Sequence, residues 1–232
     1  MLKDFAVGAE KIDSQKGTPF GVQFAGVLAY FFVLREIGQS LMLFTSVGVD
    51  LVKEVVTLQL PASKTDWVAL SCERSWGCVC SPGAVTADAC PFHAAVAQQS
   101  LLRERFGDRV EEPGFPFMPS QSGAVMNKEG VAKAVARAAT AAGVKTTTED
   151  GEETITGHYA RISGSRMLAR GSVPVESIMR MARWDSHVVL HYLKDSVLVN
   201  VTGQYRKRHH RESAQRGERA QERGQEVQRR AH

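Results

Sequence analysis

No stretch of this 232-residue sequence is apolar for long enough to commit it to a membrane. The strongest run, PFGVQFAGVLAYFFVL from Pro19 to Leu34, approaches the roughly 20 residues a helix needs to span a bilayer. It contains Gln23 and two glycines, however, and runs straight into Arg35 and Glu36. A buried helix is the expectation, with no membrane partner. The opening residues, MLKDFAVGAEKIDSQK, put charges where a secretory signal needs its apolar region, so an intracellular chain is expected. Cysteine is scarce: the four present are, in a reducing compartment, more often thiols or metal ligands than disulfides. An excess of one charge is also missing once the tail is set aside. Gly203 to His232 carries nine Lys/Arg against four Glu, which leaves 20 basic and 21 acidic groups on residues 1–202. Any anion-binding face on the globular part must therefore be local. There is no internal repeat.

What is present suits one packed domain. The divisions are a lead-in over 1–18, a globular domain over 19–202, and a basic, low-complexity tail over 203–232. That tail has almost no apolar residues and is expected to be disordered or a solvated helix. Phe20 to about Leu43 reads as one or two helices with an apolar wall. The β-branched VDLVKEVVTLQL, then PASKTD and WVAL, read as a hairpin over Val47 to Leu70 with Lys64 near its tip. Ser71 to His93 is irregular and cysteine-rich, and AAVAQQSLLRERFG is helical. EEPGFPFMPSQSGAV, with its prolines and glycines, is a surface loop. NKEGVAKAVARAATAAG is a helix stopped by Gly143, and TTTEDGEETIT is a polar loop. The fold class is α+β, mainly α-helical, with a small antiparallel sheet.

The stretch from Gly157 to Leu193, GHYARISGSRMLARGSVPVESIMRMARWDSHVVLHYL, holds five arginines against only Glu176 and Asp185. It reads as three short helices: His158 to Ala169 closed by Gly171, a second with Pro174 and Glu176 in its first turn, and a third after Asp185 and Ser186. His158 and Arg161, three apart, would share a helix face, with Trp184 and Tyr192 arriving on later helices. Such a group can cradle an oxyanion and offer it a phenol, and a phosphodiester is the natural match for guanidinium groups. Taken singly, each residue has a plainer reading, as an amphipathic core aromatic or a solvated arginine.

Taken in order, Arg35 in LREIG, Lys64 in LPASKTD, His158 and Arg161 in GHYAR, Trp184 in MARWDS and Tyr192 in VLHYL resemble the catalytic series of the tyrosine recombinases, the phage-integrase family. ARGSVPVESIMRMARWDSHVVLHY is similar to recombinases of eukaryotic mobile elements, and its RGSVP and RWDS segments favour these over type IB topoisomerases. The resemblance implies that Tyr192 attacks a DNA phosphate to give a 3′-phosphotyrosine, in preference to Tyr30, Tyr159 or Tyr205. It implies that Arg35 and Arg161 clamp the non-bridging oxygens, that Lys64 protonates the leaving 5′-oxygen, that His158 orients the phosphate or assists proton transfer, and that Trp184 donates its indole N–H to the phosphate or buttresses Tyr192. No cofactor is required for that chemistry. The implied partner is double-stranded DNA, bound by a homo-oligomer during synapsis, and the implied location is nuclear. Arg166, Arg170, Arg180, Arg183, Arg206, Lys207 and Arg208 are the expected phosphate contacts. The rival reading is a decayed, recombinase-derived DNA-binding protein. Gly38 stands where the family commonly carries a glutamate three residues after the first arginine, with Glu36 nearby.

Cys78, Cys80, Cys90 and His93, in CVCSPGAVTADACPFH, fall outside the catalytic series. Three thiols and an imidazole at short spacing suit a tetrahedral structural zinc site; the alternative is a set of buried thiols beside a structural histidine.

Overall fold

The apolar run folds as a helix, α1 (Val22–Phe31), buried on almost every side. It starts at Gly21, whose backbone is left-handed (φ 67). A Cβ there would strike the Gln98 side chain, whose amide donates to the carbonyls of Phe117 (2.7 Å) and Phe20 (3.2 Å). The helix ends with Leu34 N–H bonded back to Ala29 and Val33 N–H to Tyr30, which places Val33 in the left-handed region at φ 55. A β-branched residue is strained there. Burial of its side chain, at 2% exposure, holds it in place. The chain then passes through Arg35 into the short α2 (Glu36–Ser40). This computed structural model describes residues 19–60, 72–80, 89–141, 143–146, 158–184 and 189–198. The lead-in, the Lys64 segment, Asp185 and Ser186 and the basic tail lie outside the described residues.

The expected single hairpin is instead a three-stranded antiparallel sheet: β1 (Val47–Asp50), β2 (Val55–Leu60) and β3 (Cys72–Gly77) in that spatial order. VDLVKEVV turns at 51–54, because the Asp50 carboxylate accepts the backbone N–H groups of Val52 (3.0 Å) and Lys53 (2.9 Å). Glu54 then reverses the chain at φ 51. Those bonds also hold Asp50 below the usual carboxylate range. The register pairs Val56 with Trp76 and Leu60 with Cys72, so part of the segment read as irregular is a strand. Val56, Leu58 and Leu60 bury one face of β2, and the sheet packs on α3 (Pro91–Phe106).

Helix α4 (Lys128–Ala141) packs on α1 and α2 and stops at Gly143 (φ 76). The arginine-rich stretch resolves into α5 (Tyr159–Arg170), α6 (Val175–Ala182) and α7 (Val189–Leu198), close to the expected boundaries. Two apolar clusters form. One gathers around α1, the sheet, α3 and α4, and the other joins Val33 to Leu168, Ile178, Val189 and Leu193 on α5 to α7. Trp76 touches both and donates its indole N–H to the Phe31 carbonyl (3.0 Å). No helix among the described residues is long and apolar enough to cross a membrane.

The α1–α5 crossing is the tightest constraint on the site. A Cβ on Gly164 would be driven into the Tyr30 carbonyl oxygen. Backbone cannot yield there as a flexible side chain would, so Gly164→Ala is expected to destabilise the fold by about 1–3 kcal/mol. Urea denaturation measures this. An unchanged midpoint would mean that the helices separate without cost.

Candidate active site

Helix α5 faces the core along Tyr159, Ala160, Gly164, Ser165 and Leu168, and Arg161 falls on that buried side at 7% exposure. Tyr159 fixes the first turn: its hydroxyl donates to Gln39 Oε1 on α2 (2.9 Å), and burial raises its pKa well above the ordinary value. Arg161 reaches from that turn to the end of α6, where its guanidinium donates to the Ala182 carbonyl. Immediately beyond, Arg183 adopts the left-handed conformation (φ 55), and Trp184 N–H bonds back to Met179 (3.0 Å). That reversal lays the Trp184 ring over Arg161, with the guanidinium carbon 4.7 Å from a ring centroid. Tyr192, on α7, stacks on the other partner in this line, its ring 5.6 Å from Trp184 at an interplanar angle of 20°. Arg166, one turn along α5, donates from Nε to the Tyr192 carbonyl (2.9 Å).

The electrostatics are unbalanced. Burial and, next, the positive charge of Arg35 pull Arg161 down to about 10. The Tyr192 phenol opposes that shift, Arg183 adds to it, and Glu36 opposes it. All four therefore lie within electrostatic reach of one guanidinium, which stays protonated at neutral pH. Arg161 Nε and Glu36 Oε2 are buried with no hydrogen-bond partner among the described residues. A buried cation with an unpaired Nε, a second arginine in electrostatic reach, and a phenol stacked on the indole that covers it is chemically suited to an anion.

No family model matches the sequence, and no curated protein does. Solved structures do. A XerH site-specific recombinase in a post-cleavage complex with a palindromic difH substrate superposes with a TM-score of 0.57 at 16% identity, over 84% of this chain and 48% of that one. The pre-cleavage complex with difH gives 0.56 at 16%, over 85% and 51%. A lambda integrase dimer bound to a COC′ core site gives 0.52 at 15%, over 83% and 57%. The fold is that of a tyrosine-recombinase catalytic domain. The chain spans about half the length of these solved chains.

Within that recombinase fold, Arg35, Arg161, Trp184 and Tyr192 come together, as do Glu36 and Arg183. Arg35 is exposed at the N-terminal end of α2. His158 is the N-cap of α5 and is exposed, while Arg161, three residues on, is buried. Lys64, Arg206, Lys207 and Arg208 lie outside the described residues. Arg166, Arg170 and Arg180 are exposed, and Arg183 is half-buried. The sequence reading missed β3's part in the site. Arg74 donates to the Arg180 carbonyl (3.1 Å), tying the sheet to α6. Alternation in CERSWG, with Arg74 and Trp76 on one face, is the signal that marks it.

Apart from this group, Cys78, Cys80, Cys90 and His93 converge, their ligand atoms all within 4.8 Å of one another. Burial pushes the Cys90 thiol up, but bonds from the His93 backbone and ring, Val79 N–H and Cys80 outweigh it and bring Cys90 to about 6. Desolvation and the neighbouring Cys90 and Cys78 push Cys80 to about 12.

The Arg166 bond makes α7 dependent on α5. Arg166→Ala is expected to cost about 0.5–1.5 kcal/mol and to speed hydrogen exchange of α7 amides while leaving α3 unchanged. Equal exchange in both helices would show that Arg166 does not anchor the Tyr192 helix.

Proposed function

We propose that this chain breaks and rejoins DNA strands through Tyr192. The observation that carries the reading is the stacked series Arg161, Trp184 and Tyr192, with Arg35 in electrostatic reach of Arg161. Arg161 and Arg35 take the non-bridging oxygens of a scissile phosphodiester, and the phosphate supplies the acceptor that Arg161 Nε lacks. The Tyr192 oxygen attacks phosphorus as its proton leaves. The bond to the 5′-oxygen breaks, Lys64 gives that oxygen a proton, and a 3′-phosphotyrosine remains. Attack by a 5′-hydroxyl reverses each step, returning the proton and freeing Tyr192, so the bond energy is kept and no nucleotide is consumed. Trp184 holds the phenol and the guanidinium at a fixed separation. His158, exposed at the mouth of the site, orients the phosphate once DNA covers it.

Double-stranded DNA is the proposed partner, with copies of the chain assembling on it for synapsis. That the solved neighbours are recombinases bound to DNA substrates supports this. The RGSVP and RWDS segments support a mobile-element recombinase of a nucleus, with 19–202 as its catalytic domain. The exposed Arg166, Arg170 and Arg180, with Arg183 and the tail's Arg206, Lys207 and Arg208, supply sequence-independent phosphate contacts.

A pooled, randomised duplex carrying nicks, denatured in detergent after incubation, reveals covalent adducts. The chain is expected to yield an adduct that Tyr192→Phe abolishes while DNA binding persists; an undiminished adduct from that variant contradicts the assignment. Affinity for duplex DNA is expected to fall steeply with salt, and removal of 203–232 to flatten the slope without changing sequence preference. A salt-independent affinity would exclude the phosphate contacts.

A further inference from the structure

The sheet leaves the catalytic region through β3, and its next residues meet the start of α3. Cys78 N–H pairs with the Glu54 carbonyl (2.8 Å), prolonging the strand pairing by one bond. Cys90 then caps α3 and Pro91 opens it, which brings His93 into the first turn. Cys78 Sγ lies 3.8 Å from Cys90 Sγ and 3.8 Å from His93 Nδ1, and Cys80 Sγ lies 3.4 Å from the same nitrogen. These are not covalent spacings, since a disulfide is about 2.05 Å, and all four cysteines are free. They match three of the six edges of a coordination tetrahedron. With zinc–sulfur bonds of about 2.3 Å and zinc–nitrogen bonds of about 2.0–2.1 Å, the sulfur–sulfur edge is about 3.8 Å and the sulfur–nitrogen edge about 3.6 Å. Val79 N–H also donates to Cys90 Sγ (3.4 Å), the kind of bond that orients a thiolate ligand.

We propose that Cys78, Cys80, Cys90 and His93 bind one zinc ion that fastens the outgoing end of β3 to the first turn of α3. Three thiolates and an imidazole select zinc over calcium or magnesium, which take oxygen ligands. With four protein ligands the site is closed, so the ion is structural. Its position gives it a use. β3 carries Trp76, bonded to Phe31, and Arg74, bonded to Arg180, so a pinned β3 holds the sheet against both halves of the recombinase core. Given the proposed role of Lys64, which falls between β2 and β3 in the sequence, the same pin steadies the strand that follows it.

The test is made on the full chain expressed with zinc and needs no DNA, so its result is independent of the catalytic proposal. Elemental mass spectrometry is expected to find one zinc per chain, retained in Cys72→Ser, whose thiol lies outside the cluster, and lost from Cys90→Ser. Cys90 is buried and its variant can fail to fold, so Cys80→Ser, at an exposed ligand, is measured beside it and is expected to lose the metal while keeping its helical circular dichroism. Chelator is expected to lower the Tm of the parent chain but not of Cys80→Ser. Cobalt(II) in place of zinc is expected to give the intense visible bands of a tetrahedral thiolate complex. A parent chain that arrives metal-free, takes up neither ion and melts identically in chelator overturns the proposal. So does zinc retained undiminished by both ligand variants, which would place it elsewhere.

Discussion

The buried guanidinium of Arg161, bonded to the last carbonyl of α6, is the contact on which the rest of the site depends. It closes the gap between α5 and α6 and gives Trp184 a cationic surface to lie on. Trp184 in turn gives Tyr192 a ring to stack against. Taking a charge out of water is costly unless it is paired. Here the compensation is partial: one carbonyl, one aromatic face contributing on the order of 0.5–2 kcal/mol, and a carboxylate at Glu36 that itself keeps an unpaired oxygen. A second arginine adds to the imbalance. The phosphodiester proposed as substrate would supply what the protein leaves unpaired.

The backbone is arranged to the same end. Helices α1, α5 and α6 each finish with the same pair of backward hydrogen bonds and a residue in the left-handed region, and in each that residue is not glycine: Val33, Ser172 and Arg183. Glycine would adopt this conformation freely, as Gly143 does after α4. At Val33 the side chain is needed in the second apolar cluster, and two residues later the chain presents Arg35. At Arg183 the turn delivers Trp184 onto Arg161. Two of these turns thus set Arg35 and the stacked indole at fixed places, and the packing of α1 against Gly164 keeps α1 and α5 together.

The sequence was most informative where one physical effect dominates. The run before Leu34 is apolar all round and can only be a buried helix, and the alanines before Gly143 admit little else. Arg161, Trp184 and Tyr192 could be picked out as residue types in order, and the fold places them in one stacked line. What could not be read is equally specific. Leu51 and Val52 look like strand residues, yet they stand exposed at a turn made by the Asp50 carboxylate and a left-handed Glu54, with no glycine, asparagine or proline to announce it. CERSWG is a harder strand to read because Arg74 interrupts the half-buried face of Cys72 and Trp76. The burial of Arg161 runs against the expectation for a lone charge and follows from the way the first turn of α5 meets the end of α6 and Trp184.

The most direct measurement is the identity of the residue that becomes attached to DNA. After reaction with a nicked duplex and exhaustive nuclease digestion, peptide mass spectrometry is expected to locate a nucleotide 3′-phosphate on the peptide bearing Tyr192. The same modification on Tyr30, Tyr159 or Tyr205, or DNA bound tightly with no modified tyrosine at all, would show that the stack around Arg161 holds a phosphate without cutting it.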